Sequence, residues 1–161
     1  MFKQGHLGVA LLVFAPVGYA LAVRGLPELA IVSGFLMVWF AMLPDIDHRL
    51  PIVEHRGPTH SLVFAGFVGA VGWLVGTGVE TVVASSLSLA TVGFAVGALT
   101  VLAHLIGDTL TPAGVPYLWP LSARTFSVSL ARADSTLANA GLFWLGLLVT
   151  SGWVAIVAGW L

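Results

Sequence analysis

Five apolar runs, each long enough to cross a bilayer, constrain this chain more than anything else in it. They lie near residues 7–23, 27–43, 61–79, 86–105 and 137–161. About 20 apolar residues reach across the hydrocarbon core of a membrane. Backbone groups inside lipid must pair internally, and open sheet edges cannot, so helix is the expected state of each run. The expectation is an all-α polytopic membrane bundle of about five transmembrane helices, forming one domain over residues 1–161. Composition agrees: 58% of residues are hydrophobic, 8% are charged, and mean hydropathy is +1.03.

The first run also has the outline of a cleavable signal peptide, with Lys3 ahead of it and Ala20-Leu21-Ala22 near its end. Four further spans follow, which favours a retained anchor. Small-residue stripes mark two spans, Gly66, Gly69, Gly72 and Gly76 in the third and Gly93 and Gly97 in the fourth. Such stripes let helices approach closely, so spans three and four are expected to touch. The competing reading is composition, since glycine fills 19 of 161 positions.

A charged group at bilayer depth costs about 2.5–3.5 kcal/mol on insertion scales, so membrane chains shed ionisable residues they do not use. This one keeps five histidines and seven acids. Most fall in three clusters: Pro44-Asp45-Ile46-Asp47-His48, His55-Arg56-Gly57-Pro58-Thr59-His60-Ser61 and His104-Leu105-Ile106-Gly107-Asp108. There is no cysteine, which excludes disulfide and thiolate chemistry. Any metal must be held by imidazole nitrogen and carboxylate oxygen. The net charge of −1 and the lack of a basic run argue against a nucleic-acid partner.

Threading the spans with alternating direction puts His6, the 44–60 loop and the end of span four on one face. Every candidate ligand then converges there. The same face carries Lys3, Arg49, Arg56, Arg124 and Arg132, against Arg24 on the other. The positive-inside rule makes it cytoplasmic, with the C-terminus outside.

His104 and Asp108 are four apart and project from one side of a helix. Asp45 and Asp47 follow a helix end broken by Pro44, and a bridging carboxylate with a second one can hold two ions about 3.5–4 Å apart. Pro58-Thr59-His60 reads as the start of span three, with Thr59 able to cap it. His60 is then a ligand, and the nearby amides with Arg56 form an anion grip. Taken singly, each piece has a plainer alternative: an interfacial histidine, a solvated Asp45-Ile46-Asp47 loop, a His104–Asp108 bond at a helix end. His48 and His55 are read as lying outside the ligand set. Asp134 and Asn139 are read as helix-start residues of span five.

The quoted clusters, with Leu43 before the first, Thr109-Leu110-Thr111-Pro112-Ala113-Gly114 after the third and Trp119-Pro120-Leu121 beyond, resemble the LexA-regulated, membrane-bound, metal-dependent hydrolase family. The resemblance extends from His6 to about Arg124. Members tend to open with a Thr-His pair, where Gly5-His6 stands here. The resemblance implies a multi-span inner-membrane protein with a His/Asp divalent-metal centre.

Together these point to one or two divalent ions on His6, Asp45, Asp47, His60, His104 and Asp108. Zinc is favoured, with manganese or iron as alternatives. Such an ion generates a nucleophilic hydroxide near neutral pH. Arg56 or Arg124 would neutralise the ester being cleaved, and Asp47 is placed with them as catalytic. The expected activity is hydrolysis of a phosphoester, of a lipid or a lipid-linked molecule, since Tyr117, Leu118, Trp119 and Phe126 suit the headgroup layer. The alternatives are a metal or proton transporter, whose ligands usually sit at the midplane, and a non-catalytic module stapled by a closed metal site.

Overall fold

In the computed structural model, which describes residues 1–49 and 56–161, each apolar run forms a helix. They are α1 (Lys3–Ala22), α2 (Pro27–Trp39), α3 (Leu62–Glu80), α4 (Leu89–Thr109) and α5 (Thr136–Val157). All five are long and apolar enough to cross a membrane, α2 together with the 3-10 turn that follows it. Among the described residues the extended backbone pairs once, in an antiparallel bridge between Val115 and Phe126.

The helix ends differ from the apolar runs where polar residues turn inward. Helix α1 starts at Lys3, so His6 lies within it rather than ahead of it. Helix α4 continues to Thr109, so His104 and Asp108 are both helical and both buried. Helix α2 stops at Trp39, and Pro44–Arg49 forms a 3-10 turn carrying Asp45 and Asp47.

Serines cap the starts of α3, α4 and α5. Ser61, Ser88 and Ser135 accept from the amides of Phe64, Thr91 and Ala138, each satisfying a donor that helix geometry leaves open. Thr59 therefore does not cap span three, and neither Asp134 nor Asn139 starts span five. Asp134 pairs with Arg132 at 3.0 Å on the exposed surface. Asn139 is buried and joins α5 to the start of α1, accepting from the Phe2 amide at 3.0 Å.

Helix α4 packs against α3, and α1 against α5 and α2, with α1 and α4 in contact at the centre. The glycine stripes explain the first pairing. A Cβ on Gly72 would collide with the Gly93 carbonyl, and one on Gly93 with that of Gly72. Gly76 meets Leu89 and Gly97 meets Val68 in the same way. Gly66 has open space in front of it and takes no part. Gly8 and Gly146 give α1 and α5 a similar close approach. The core lies beneath the polar face: Val9, Ala10, Phe14, Met37, Ala41, Val96 and Ala103 in one cluster, Ala65, Val101, Leu105 and Val115 in the other. Outward-facing Phe35, Trp39, Phe67, Leu74, Trp144 and Leu148 form the apolar exterior a bilayer requires.

Candidate metal centre

The sequence between α4 and α5 is tied down over one end of the bundle. Arg56 donates to the Gly114 carbonyl at 2.8 Å. Leu62 at the head of α3 donates to Tyr117 at 2.9 Å. Val128 and Leu130 bond the end of α4 through the carbonyls of Thr109 and Leu110. This lid and the two 3-10 turns, Pro44–Arg49 and Pro58–His60, gather the polar residues that the threading of the chain placed on one face.

Asp45, His60, His104 and Asp108 offer one donor atom each, all within 4.8 Å of one another. His60 Nε2 lies 3.5 Å from Asp45 Oδ1 and 3.4 Å from Asp108 Oδ2. His104 Nε2 lies 3.4 and 3.6 Å from the same two oxygens. Donors held about 2.0–2.2 Å from one tetrahedral ion stand about 3.3–3.6 Å apart, so the four cross distances fit such an ion. His104 Nε2 is buried without a hydrogen-bond partner, a costly state for a polar atom that no ligand uses. The donor set can hold a divalent metal ion.

The imidazoles are aimed from behind. His104 Nδ1 is 2.8 Å from the Ala41 carbonyl, which can only accept, so Nδ1 carries a proton and Nε2 is the nitrogen turned to the cluster. Thr59 Oγ1 donates to Asp47 Oδ2 at 2.7 Å and stands 3.0 Å from His60 Nδ1. Asp47 Oδ2 is itself 3.3 Å from that nitrogen and accepts from the Arg56 amide at 3.2 Å. Asp47 thus orients His60 rather than joining the four-donor set, as carboxylates behind metal-bound histidines commonly do. Burial disfavours the His60 imidazolium, but the Asp108 and Asp45 carboxylates outweigh it and raise the pKa. An arriving cation would displace a proton there.

His6 completes one wall. Its ring stacks on His104, centroids 3.8 Å apart and planes 2° from parallel. Its Nε2 is 3.5 Å from Asp108 Oδ1, so Asp108 turns one oxygen to His60 and His104 and the other to His6. The Met1 amine lies 2.6 Å from that second oxygen. A side chain at Gly107 would press on the His6 ring, which explains the glycine one residue before Asp108.

Arg56 Nη2 is 3.3 Å from Asp108 Oδ1. Its φ is +61°, a left-handed conformation uncommon outside glycine. Such strain costs about 1–3 kcal/mol and persists where surrounding contacts over-determine it. Here the Asp47, Gly114 and Asp108 contacts do so. Asp45 and Arg56 keep access to solvent, their side chains 18% and 19% exposed, while His60, His104 and Asp108 are sealed.

Arg124 lies over the Phe126 ring, 5.5 Å from its centroid. His48 is exposed on the Pro44–Arg49 turn, where it, Asp45 and Asp47 form a second, more open group of possible donors. His55 lies outside the described residues. Thr59, like Asp47, is a site residue whose role sequence reasoning misread. Its position between a proline and a histidine suits a cap, and only the fold reveals Asp47 opposite its hydroxyl.

A multi-span helical membrane protein with a buried His/Asp cluster at one end of the bundle is the class this fold and site define. The chain belongs to the YdjM inner membrane protein family, whose model matches residues 1–161. It is 37% identical over 94 residues to inner membrane protein YdjM of Escherichia coli (strain K12), a match covering 49% of this chain and 44% of that protein. The YdjM protein of Shigella flexneri matches equally. The chain therefore aligns with less than half the length of these curated relatives. No solved structure matches.

Proposed function

We propose that this protein is a membrane-embedded, metal-dependent hydrolase of phosphoesters, working at the cytoplasmic interface. The observation that carries the reading is the four-donor set of Asp45, His60, His104 and Asp108, with Arg56 beside it on Asp108. The resemblance to metal-dependent membrane hydrolases supports it too.

His60, His104, Asp45 and Asp108 would hold the ion, and zinc suits two imidazoles and two carboxylates at this spacing. A bound divalent ion supplies a water acidic enough to act as hydroxide near neutral pH. Asp47, through Thr59, fixes the His60 ring. Arg56 presents a planar fork suited to a phosphate oxygen pair, and its partial exposure lets a substrate reach it. Hydrolysis joins the water oxygen to phosphorus, breaks the ester P–O bond and leaves the departing alkoxide to take up a proton.

A second reading is a structural staple, favoured because four protein donors fill a tetrahedron whereas catalytic zinc sites usually keep one position open. Asp45 is the donor that separates the two. It is the most exposed of the four and sits on a short turn, so it is the ligand that water or substrate would join or replace.

Metal analysis of detergent-purified protein, wild type beside His104→Ala and Asp45→Ala, tests both readings when paired with a phosphodiester assay on the same samples. One to two ions per chain, lost together with hydrolysis, supports the enzyme. Metal whose removal lowers thermal stability, in protein with no hydrolysis to lose, supports the staple.

A further inference from the structure

Helices α2 and α3 stand apart and leave a cleft of about 720 Å³ floored by α4. Its walls are mainly apolar: Leu36 comes from α2, Val71 and Val75 from α3, Val96 from the floor, with Ser33 and Thr100 the polar residues along its length and Glu28, Ser85 and Ser86 at the end away from His104. One end closes on Leu43, directly before Pro44-Asp45, and on Thr100, one turn of α4 before His104. The floor from Leu89 to Thr100 advances about 16 Å at the helical rise, half the thickness of a bilayer core. The cleft thus lies at hydrocarbon depth, and its last lining residues, Leu43 and Thr100, stand within about one helical turn of the donors Asp45 and His104 in sequence.

Walls this largely apolar at that depth offer little to water or to a polar ligand, and they match a hydrocarbon chain. A second copy of this chain could cover the same walls, yet nothing in such a contact requires the cleft to end beside Asp45 and His104. The broadest unpartnered helix face belongs to α5, on the far side of α1.

We propose that this cleft seats the hydrocarbon tail of a glycerophospholipid whose phosphate lies toward the donor cluster, and that on the hydrolase reading this lipid is the substrate. The identity of the head group rests on the hydrolase reading; the tail site does not.

The test is photocrosslinking in phosphatidylcholine vesicles containing phosphatidic acid with a diazirine midway along one tail. Adducts are mapped by mass spectrometry on wild type, Val75→Trp and Leu74→Trp. Val75 lines the cleft, whereas Leu74 points to lipid outside it. Adducts concentrated on Leu36, Val71 and Val96 in wild type support the proposal. They should fall about tenfold in Val75→Trp, the effect of a clash of about 1.4 kcal/mol, and stay unchanged in Leu74→Trp, with metal content equal in all three. Adducts spread over the exterior in proportion to exposure, including Leu148 on α5, overturn it, as do crosslinks between two copies across the cleft. Hydrolysis of bis-p-nitrophenyl phosphate separates this from the reading beneath it. Cleft adducts in protein without hydrolysis keep the tail site and sink the hydrolase. Hydrolysis with adducts spread evenly keeps the hydrolase and sinks the tail site.

Discussion

Asp47 stands 3.3 Å from His60 Nδ1, on the opposite side of the ring from Asp45 and Asp108, with the Thr59 hydroxyl joined to both. The carboxylate holds the ring so that Nε2 meets an ion without a search through rotamers. Groups placed this way typically contribute 10–100-fold in metal affinity. Asp47→Ala should weaken zinc binding by about that factor, and Thr59→Val by less, since Asp47 still reaches Nδ1 directly. Titration against a competing chelator reads both. Zinc binding unchanged in Asp47→Ala would show that His60 is not a ligand or needs no partner.

The bundle was legible because lipid enforces it: each apolar run has one state open to it, and alternation of direction brings distant clusters together. Gly72 and Gly93 were legible for a similar reason, since only a missing side chain permits their backbones to touch. Roles within the cluster were not. Asp45 and Asp47 are two residues apart on one turn and look equivalent in sequence. The 3-10 geometry sends Asp45 to the donor set and Asp47 behind His60. Arg124 resembled Arg56 as a lone cation near the site, and its placement on Phe126 depends on a strand-like pairing across the lid that no local pattern announced.

His6 meets Asp108 at Oδ1, the oxygen not shared with His60 and His104, while its ring stacks on His104, so its ring and its nitrogens can be tested separately. His6→Phe preserves a flat ring against His104 and removes the nitrogens. The variant should retain one ion with affinity within a few-fold of wild type, and any second ion should be lost. Metal content by mass spectrometry decides this. Loss of all metal would make His6 part of the first ion's shell.

The Gly72–Gly93 crossing predicts a sharp contrast between glycines on one helix. Gly72→Leu must drive α3 from α4, an overpacking penalty of about 1–3 kcal/mol. Gly66→Leu meets open space and should leave the melting temperature in detergent unchanged. Equal effects at both positions would mean that the helices do not cross there.

The basic residues, five on the site face against Arg24 opposite, predict a cytoplasmic site face, and a chain without cysteine makes the orientation simple to read. Single cysteines at exposed Ser129, in the lid, and at Leu161 should label from opposite sides of the membrane in cells. An impermeant maleimide should reach Leu161→Cys from outside and Ser129→Cys only after lysis. The reverse pattern would put the metal centre on the outer face.

Arg56 offers the cleanest separation of activity from stability. Its backbone is in the left-handed region, which glycine adopts freely. Arg56→Gly therefore relieves about 1 kcal/mol or more of backbone strain while removing the guanidinium from Asp108 and Gly114. The gain and the lost contacts should nearly offset, leaving thermal stability close to wild type. If Arg56 neutralises charge developing on a phosphoester, hydrolysis should fall about 10²–10³-fold, the usual effect of losing one such donor. Arg56→Lys keeps a charge but not the fork, and should recover only part of the loss. Stability that collapses in Arg56→Gly, with metal-dependent hydrolysis per folded molecule intact, would make Arg56 a clamp for the lid and remove it from the chemistry.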